Sequence, residues 1–476
     1  FTPIVSSLRG MASRMTRDAN YWQLMANGGG FATLYRGEVG AARNLKSFYT
    51  SKGINYSKVL DTPRKIADAI ENVSSVFEMA ARLEEFNLVK QEGGLRTAAL
   101  AARDVSTDFA KRGASDTVQA VMSTLPFVNA RLQGFARLAE VGKATPLKVA
   151  IKGLATLTLP ALALYALNKD DPRYQQLEDW VKDLHYVILL PGDPDPLLIP
   201  KGFEYGAIFS TVPERAFEAI EQRHGKRFAN SLLRIFTQEL GFNPIPQAFR
   251  PLIEQAANKN FFTDSPIVAE DLKNVKLSEQ FRPWTSETMV RIARELSEDT
   301  GIEFSPARAE ALVRGYFGTI GMYALDASDG LIRAASGDAE PPTARLDEMP
   351  VIRRFLREDP IRGTKFETDF YEFLGEARTV TATVSKMLKE ARKPNLTESE
   401  KQLFRLAPVF NQVQETATAI NQQMRLIQTD EDMSGDEKRA ELDELQRQKN
   451  NLFRALISEM PQPLLREFDV SQPALQ

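Results

Sequence analysis

Apolar residues recur at spacings of three and four along most of the chain, and long strict alternation is absent. The sequence therefore predicts a mainly α protein of several helical subdomains. In the N-terminal part, Met11, Met15, Trp22 and Met25 fit one helix that ends at Asn27–Gly30. Thr62 then serves as an N-cap, with Pro63 at the first helical position. Ile66, Ile70, Val73, Phe77 and Ala80 form a single stripe, and Gln91–Gly94 closes the unit. Helix resumes over Ala98–Gly113 and again from Pro126. There Asn129 and Gln133, one turn apart, are placed either to bond a partner helix or to cap an exposed turn.

The clearest pattern is C-terminal. Leu403, Leu406, Phe410, Val413, Ala417, Ile420, Met424 and Ile427 make one stripe, and Leu442, Leu445, Leu452, Phe453 and Leu456 a second. Thr397 with Glu400 and Ser434 with Glu437 are capping boxes, and Asp430–Gly435 is a turn. These features predict an antiparallel helical hairpin, expected to serve as a partner surface or arm.

Two stretches depart from the amphipathic pattern. Pro146–Leu167 follows a Thr145 cap and carries no charge from Gly153 onward. As a helix its roughly 22 residues would span ~33 Å, against a bilayer core of ~30 Å. Lys148 and Lys152 are placed to snorkel at one end, and Lys169, Asp170 and Asp171 close the other. Pro160 and the shortness of the uncharged run instead favour a buried core helix in the folded protein, with bilayer engagement as a second state. Leu154, Leu157, Leu162, Leu164 and Leu167 are the candidate membrane or partner face. The second stretch, about 185–201, reads as two short strands around the Pro191–Pro196 turn, a β-hairpin and the only β structure expected.

Beyond the hairpin, helix restarts at Pro213, with Glu214, Glu218 and Glu221 on one side expected to face water. Ser305–Pro306 opens a further helix in which Gly315, Gly318 and Gly321 recur on nearly one face, a candidate site for close helix packing. Residues 336–350 form a polar, Pro-containing linker. The punctuation divides the chain into an N-terminal helical region (1–97), a central region with the apolar helix and hairpin (98–260), a Pro-punctuated region with the linker (261–350) and a C-terminal helical region (351–476).

Composition narrows the chemistry. The chain has no cysteine, which removes disulfides, thiolate nucleophiles and Cys-ligated metal. Its two histidines, His185 and His224, have no partner His one turn away and read as packed or surface residues. Asp193 and Asp195 lack the further ligands of a calcium loop. No P-loop, H-E-x-x-H, G-x-S-x-G or catalytic carboxylate frame is found, so no catalytic, cofactor-binding or metal-binding residue is assigned and no enzyme activity is expected. The net charge of −3 divides unevenly: residues 1–160 hold 21 Lys/Arg and 13 Asp/Glu (+8), and the remainder 39 and 50 (−11). The basic third is compatible with nucleic acid or acidic lipid, and equally with an unevenly charged solvated surface. The chain opens on Phe1, which suggests a processed product or part of a longer polypeptide.

The order of pieces between Arg103 and Glu221 carries a resemblance. RDVSTDFAKRG, LPFVNARLQGF, LTLPALALYALNKDDPRY and LLPGDPDPLLIPKGFEYGAIFSTVPERAFE together resemble a region of large phage-encoded polyvalent proteins, especially the internal virion (ejection) proteins of tailed phages. The likeness spans roughly 100–225 and continues more loosely through SPARAEALVRGYFGTIG and MPVIRRFLREDP. It implies a structural protein held in the virion interior, assembling with copies of itself and sister virion proteins. Such a protein would be delivered with the genome into the host envelope, with double-stranded DNA and the host membrane as further candidate partners. The alternative it leaves is a scaffold region of a larger phage enzyme, either a lytic transglycosylase-containing or an antirestriction polyvalent protein.

Overall fold

The computed structural model describes residues 2–29, 57–105, 126–222, 225–235, 249–261, 263, 265–269, 272–273, 275–282, 284–336, 342–349, 352–391, 393–430, 432–468 and 470. These are mainly α-helical, with one two-stranded antiparallel sheet among them. The chain divides into two compact units, Phe1–Ala144 and Thr145–Gln476.

In the first unit the single helix expected over 11–25 is two. Thr2–Thr16 ends where Arg17 takes a left-handed conformation (φ 51°), and Asp18 caps Ala19–Ala26 by accepting from the Tyr21 N–H at 3.0 Å. Met15 and Trp22, read as part of one stripe, are exposed, whereas Tyr21 and Leu24 are buried. The long helix Ser57–Asp104 begins ahead of Pro63 and departs from helical geometry at Gly94 (φ 77°, ψ 171°). Met79, Leu83, Phe86, Ala98 and Ala102 pack with Tyr21 and Leu24 into a small core. Arg82 is fully buried there, and its guanidinium donates to the Gly29 carbonyl at 3.0 Å. The Ile66–Phe77 side chains and Asn129 lie outside the described side chains, and Lys111–Gly113 outside the described residues; Pro126–Ala144 is helical.

The second unit contains the hairpin. Strands β1 (His185–Ile188) and β2 (Leu197–Pro200) pair antiparallel, His185 opposite Pro200 and Ile188 opposite Leu197. The turn is held by Arg173, which donates to the Leu190 carbonyl at 3.0 Å and also to that of Asp193. Asp195 accepts the Asp359 N–H at 2.8 Å, so this acidic turn serves the backbone. Along the outer edge of β2, Leu198 N–H donates to Phe355 O (2.7 Å) and Arg357 N–H to Pro196 O (3.1 Å), which extends the hairpin by a short strap. The described part of the supposed linker is likewise tied down. Arg345 is buried and donates to the Pro360 carbonyl (2.9 Å), while Arg439 donates to Thr343 O (2.6 Å).

The predicted C-terminal hairpin is present as Glu398–Thr429 and Gly435–Glu459, and both capping boxes form. It is not a free arm. A third helix, Lys365–Lys389, lays Phe366, Phe370, Phe373, Leu374 and Ala377 against the hairpin's Phe410 and Phe453. The Phe370 ring lies 4.8 Å from Phe453 and 6.3 Å from Phe410. The apolar stripe is therefore covered within the chain rather than left open as a partner surface.

Candidate functional surface

Pro146–Asn168 is one continuous helix, but it is not the buried core helix that its composition favours. Only 22% of its apolar window is buried. Its inward side consists of Gly153, Thr158, Ala161, Tyr165 and Asn168, and its outward side of Leu147, Ile151, Leu154, Leu159 and Leu167. Of the five candidate leucines, Leu154 and Leu167 look outward, and Leu167 is 78% exposed. Leu157, Leu162 and Leu164 are half-buried on the flanks, so the five do not form one face.

A second helix lies beside it, made of Phe203–Gly206, Ala207–Thr211 and Val212–Gln222 in unbroken succession. Its polarity is also reversed. Ser210, Thr211, Glu214, Arg215 and Glu218 are buried, whereas Tyr205, Phe217 and Ile220 are exposed. Glu214 and Glu218, expected to face water, point into the protein; Glu221 alone of the three stays at the surface.

Each helix widens into a π-turn at the same place relative to a proline: Leu154–Thr158 ahead of Pro160, and Ala207–Thr211 ahead of Pro213. A proline has no N–H and its ring crowds the carbonyl four residues earlier. The wider turn relieves this, with Leu159 N–H donating to Leu154 O and Val212 N–H to Ala207 O, five residues back. The Phe209 carbonyl, four residues before Pro213, accepts from the Thr158 hydroxyl, and Ser210 Oγ donates to Leu157 O at 3.3 Å. A Cβ at Gly153 would stand 2.5 Å from the Phe209 ring, so only glycine permits this approach. Tyr165 OH donates to Glu221 at 3.0 Å, and Lys169 pairs with the same carboxylate. Across these contacts the sequence separation stays between 51 and 56, so the helices run parallel and in register.

Behind the pair, buried charge is matched residue by residue. Lys201 Nζ is 2.7 Å from Glu214, and Arg215 Nε is 2.6 Å from Asp183 while its fork also reaches Glu218. Lys201 further donates to Lys182 O (2.9 Å) and Thr211 to Asp183 O (2.7 Å). Buried ions persist only when paired and hydrogen-bonded in this way, since an unpaired one costs several kcal/mol, roughly 3–5. His185 Nδ1 lies 3.0 Å from Val181 O, and burial lowers its pKa, which disfavours the charged ring; His224 is outside the described residues.

Next to this network, burial pushes the Glu178 carboxyl up to about 7. Glu367 nearby adds to the rise, while a 2.6 Å bond from Trp180 Nε1 and the charge of Arg357 oppose it. Arg357 in turn lies over the Trp180 ring at 5.7 Å.

The same reversal continues downstream. Helix Glu287–Thr300 has no side-chain cap of its own. Its first turn is instead held by buried carboxylates of the helix Pro306–Ser336: Asp329 accepts from Ser286 Oγ and Thr288 N (both 2.8 Å), and Glu310 from Ser286 N (2.9 Å). Desolvation raises the pKa of Glu310. The glycine face divides into three roles. At Gly315 a Cβ would meet Pro251 at 2.8 Å, so Arg250–Ala257 crosses there. Gly318 instead interrupts the helix (φ 56°, ψ −138°), and Gly321 is crowded by Val313 and Phe317 of its own helix.

Among the described residues no group of three or more His, Cys, Asp or Glu is arranged to hold a metal ion. The buried pairs escaped sequence reading because an i, i+4 series of charges looks the same whether it faces water or other charges. The one available signal was the paired pattern of small or hydroxyl residues before Pro160 and Pro213.

No curated protein and no solved structure matches the chain. The family match starts later and extends further than the 100–225 block that carried the resemblance. Residues 171–352, which hold the hairpin, the second inverted helix and the glycine helix, match the family model for large polyvalent protein associated domain 38, and on this segment the chain is similar to large phage polyvalent proteins.

Proposed function

We propose that the chain is a non-enzymatic internal virion (ejection) protein that acts through its surfaces. In this reading it sits in the particle with copies of itself and sister proteins, and leaves with the genome to help DNA cross the host envelope. The observation that carries the reading is the polarity of the matched segment. Along its helix 203–222 the ionic groups are tied inward, as in Lys201–Glu214 and Asp183–Arg215–Glu218, while Tyr205, Phe217 and Ile220 point outward. Such a segment is suited to holding partners rather than to converting a substrate.

The test is mass spectrometry of purified particles before and after triggered genome release. The expected result is that the chain is present in full particles and depleted from emptied shells. Its absence from full particles would overturn the reading in favour of a scaffold region of a larger phage enzyme. Incubation of the chain with peptidoglycan separates the two further, since no muropeptide release is expected. Light scattering at several concentrations tests self-assembly, for which a closed cyclic oligomer is expected.

A further inference from the structure

We propose that the outward face of the two parallel helices, Pro146–Asn168 and the 203–222 helix, seats in the hydrocarbon of a lipid bilayer. This deepens the delivery reading by naming a partner, and rests on it only for the setting in which lipid is met.

The first helix has no charged residue between Lys152 and Lys169. The second has three between Glu204 and Glu221, namely Glu214, Arg215 and Glu218, and all are buried and paired inward. Both helices thus present an outer belt of about 16 residues free of exposed charge, ~24 Å at 1.5 Å per residue. Because the helices are parallel with a separation of 51–56, the belts lie side by side at one height. Lys148 and Lys152 are exposed at one rim, and Lys169 and Glu221 pair at the other.

A charge-free band closed by charge at both ends, slightly thinner than the ~30 Å hydrocarbon core, is what a bilayer demands. A second copy of the chain would require apolar complementarity but not matched charged rims. The exposed lysines at one rim also suit anionic headgroups. Inside the belt, the Phe209 carbonyl is satisfied by Thr158, the Leu157 carbonyl by Ser210 and the Tyr165 hydroxyl by Glu221, as a hydrocarbon setting requires. The second helix would escape a hydropathy scan, because its charges are counted without regard to the side they occupy.

The absence of native cysteine permits single-site labelling of the full chain. An environment-sensitive dye is placed at Leu159→Cys or Ile220→Cys in the belts, and at Glu441→Cys on the C-terminal bundle as control. The chain is then mixed with vesicles of phosphatidylcholine and phosphatidylglycerol and floated on a density gradient. The expected result is flotation, with the dyes at 159 and 220 quenched by bilayer-embedded quenchers and shielded from aqueous iodide, and the dye at 441 open to iodide. A Leu159→Asp, Ile220→Asp double variant with unchanged circular dichroism should float about tenfold less or worse.

The proposal is overturned if the chain does not float, or if it floats with both belt dyes open to iodide. It is also overturned if the belt dyes become shielded without vesicles as protein concentration rises, which would make a second copy the occupant. Because particle content is measured separately, loss of lipid binding and loss of the virion role are told apart.

Discussion

The helix pair of 146–222 and the three-helix bundle of 365–470 are built from similar lengths of helix, yet their cross-sections have opposite polarity. In the bundle, Phe370, Phe373, Phe410 and Phe453 fill the centre, and the few buried charges, such as Lys449 paired with Glu367 at 2.9 Å, lie at its margin. In the pair, Thr158, Ser210, Thr211, Glu214, Arg215 and Glu218 are central, while Leu159, Leu167, Phe217 and Ile220 are exposed. The bundle is held by removing apolar area from water, about 25 cal/mol per Å². The pair is held by directional bonds among groups that would otherwise be costly to bury. Burying an apolar stripe is thus only one way to join helices, and joining them through polar groups leaves the apolar stripe free for another medium.

The largest expected effect comes from a matched pair of truncations. Arg215→Ala strands the buried carboxylates of Asp183 and Glu218 and should cost roughly 3–5 kcal/mol. Phe370→Ala leaves a cavity among aromatic rings and should cost a similar ~3–5 kcal/mol. Denaturant titration with urea measures both. A second buried change, Glu218→Gln on top of Arg215→Ala, should restore part of the first loss and none of the second. If that rescue fails, the contrast between charge-held and area-held regions fails with it.

Acidity sharpens the contrast next. The Glu178 carboxyl has its folded value raised from 4.5 to about 7, so the folded state holds the proton more tightly than the unfolded one. Its contribution is fully present below pH ~4.5 and is lost as pH rises through 7, up to about 3 kcal/mol. Stability measured from pH 5 to pH 8 should therefore fall, and Glu178→Gln should flatten that slope and be the more stable form at pH 8. An unchanged slope in the variant would show that another group carries it.

Smaller effects follow at the bundle's ends and on the pair's surface. Thr397 accepts the Glu400 N–H at 3.2 Å, and Thr397→Ala should cost ~1 kcal/mol in thermal unfolding. Leu167→Gln, at an exposed apolar position, should change stability in water by less than ~0.5 kcal/mol. In the bundle a buried Leu464→Gln would cost several times more, since Leu464 is fully buried. A large loss at Leu167 would mean that its face is covered in solution.

The mainly helical class, the hairpin at 185–201, both C-terminal capping boxes and the helix start at Pro306 were legible in the amino-acid order alone. Each of these depends on contacts within a few residues, where a Thr, a Pro or a paired spacing acts on its own backbone. The sequence also marked 146–167 as apolar and excluded thiol chemistry through the missing cysteine. Tertiary structure alone decided which side of a helix is inside. The stripe Leu403–Ile427 and the row Leu147–Leu167 are both apolar, but the helices Lys365–Lys389 and Gly435–Glu459 together cover the first and no described helix covers the second. Likewise Glu214 and Glu218 occupy ordinary amphipathic positions, and only the arrival of Lys201 against Glu214 and of Asp183 against Arg215, the partner of Glu218, turns that face inward. Local sequence sets backbone form, whereas the sign of an amphipathic face depends on partners far away in the chain, which no local pattern specifies.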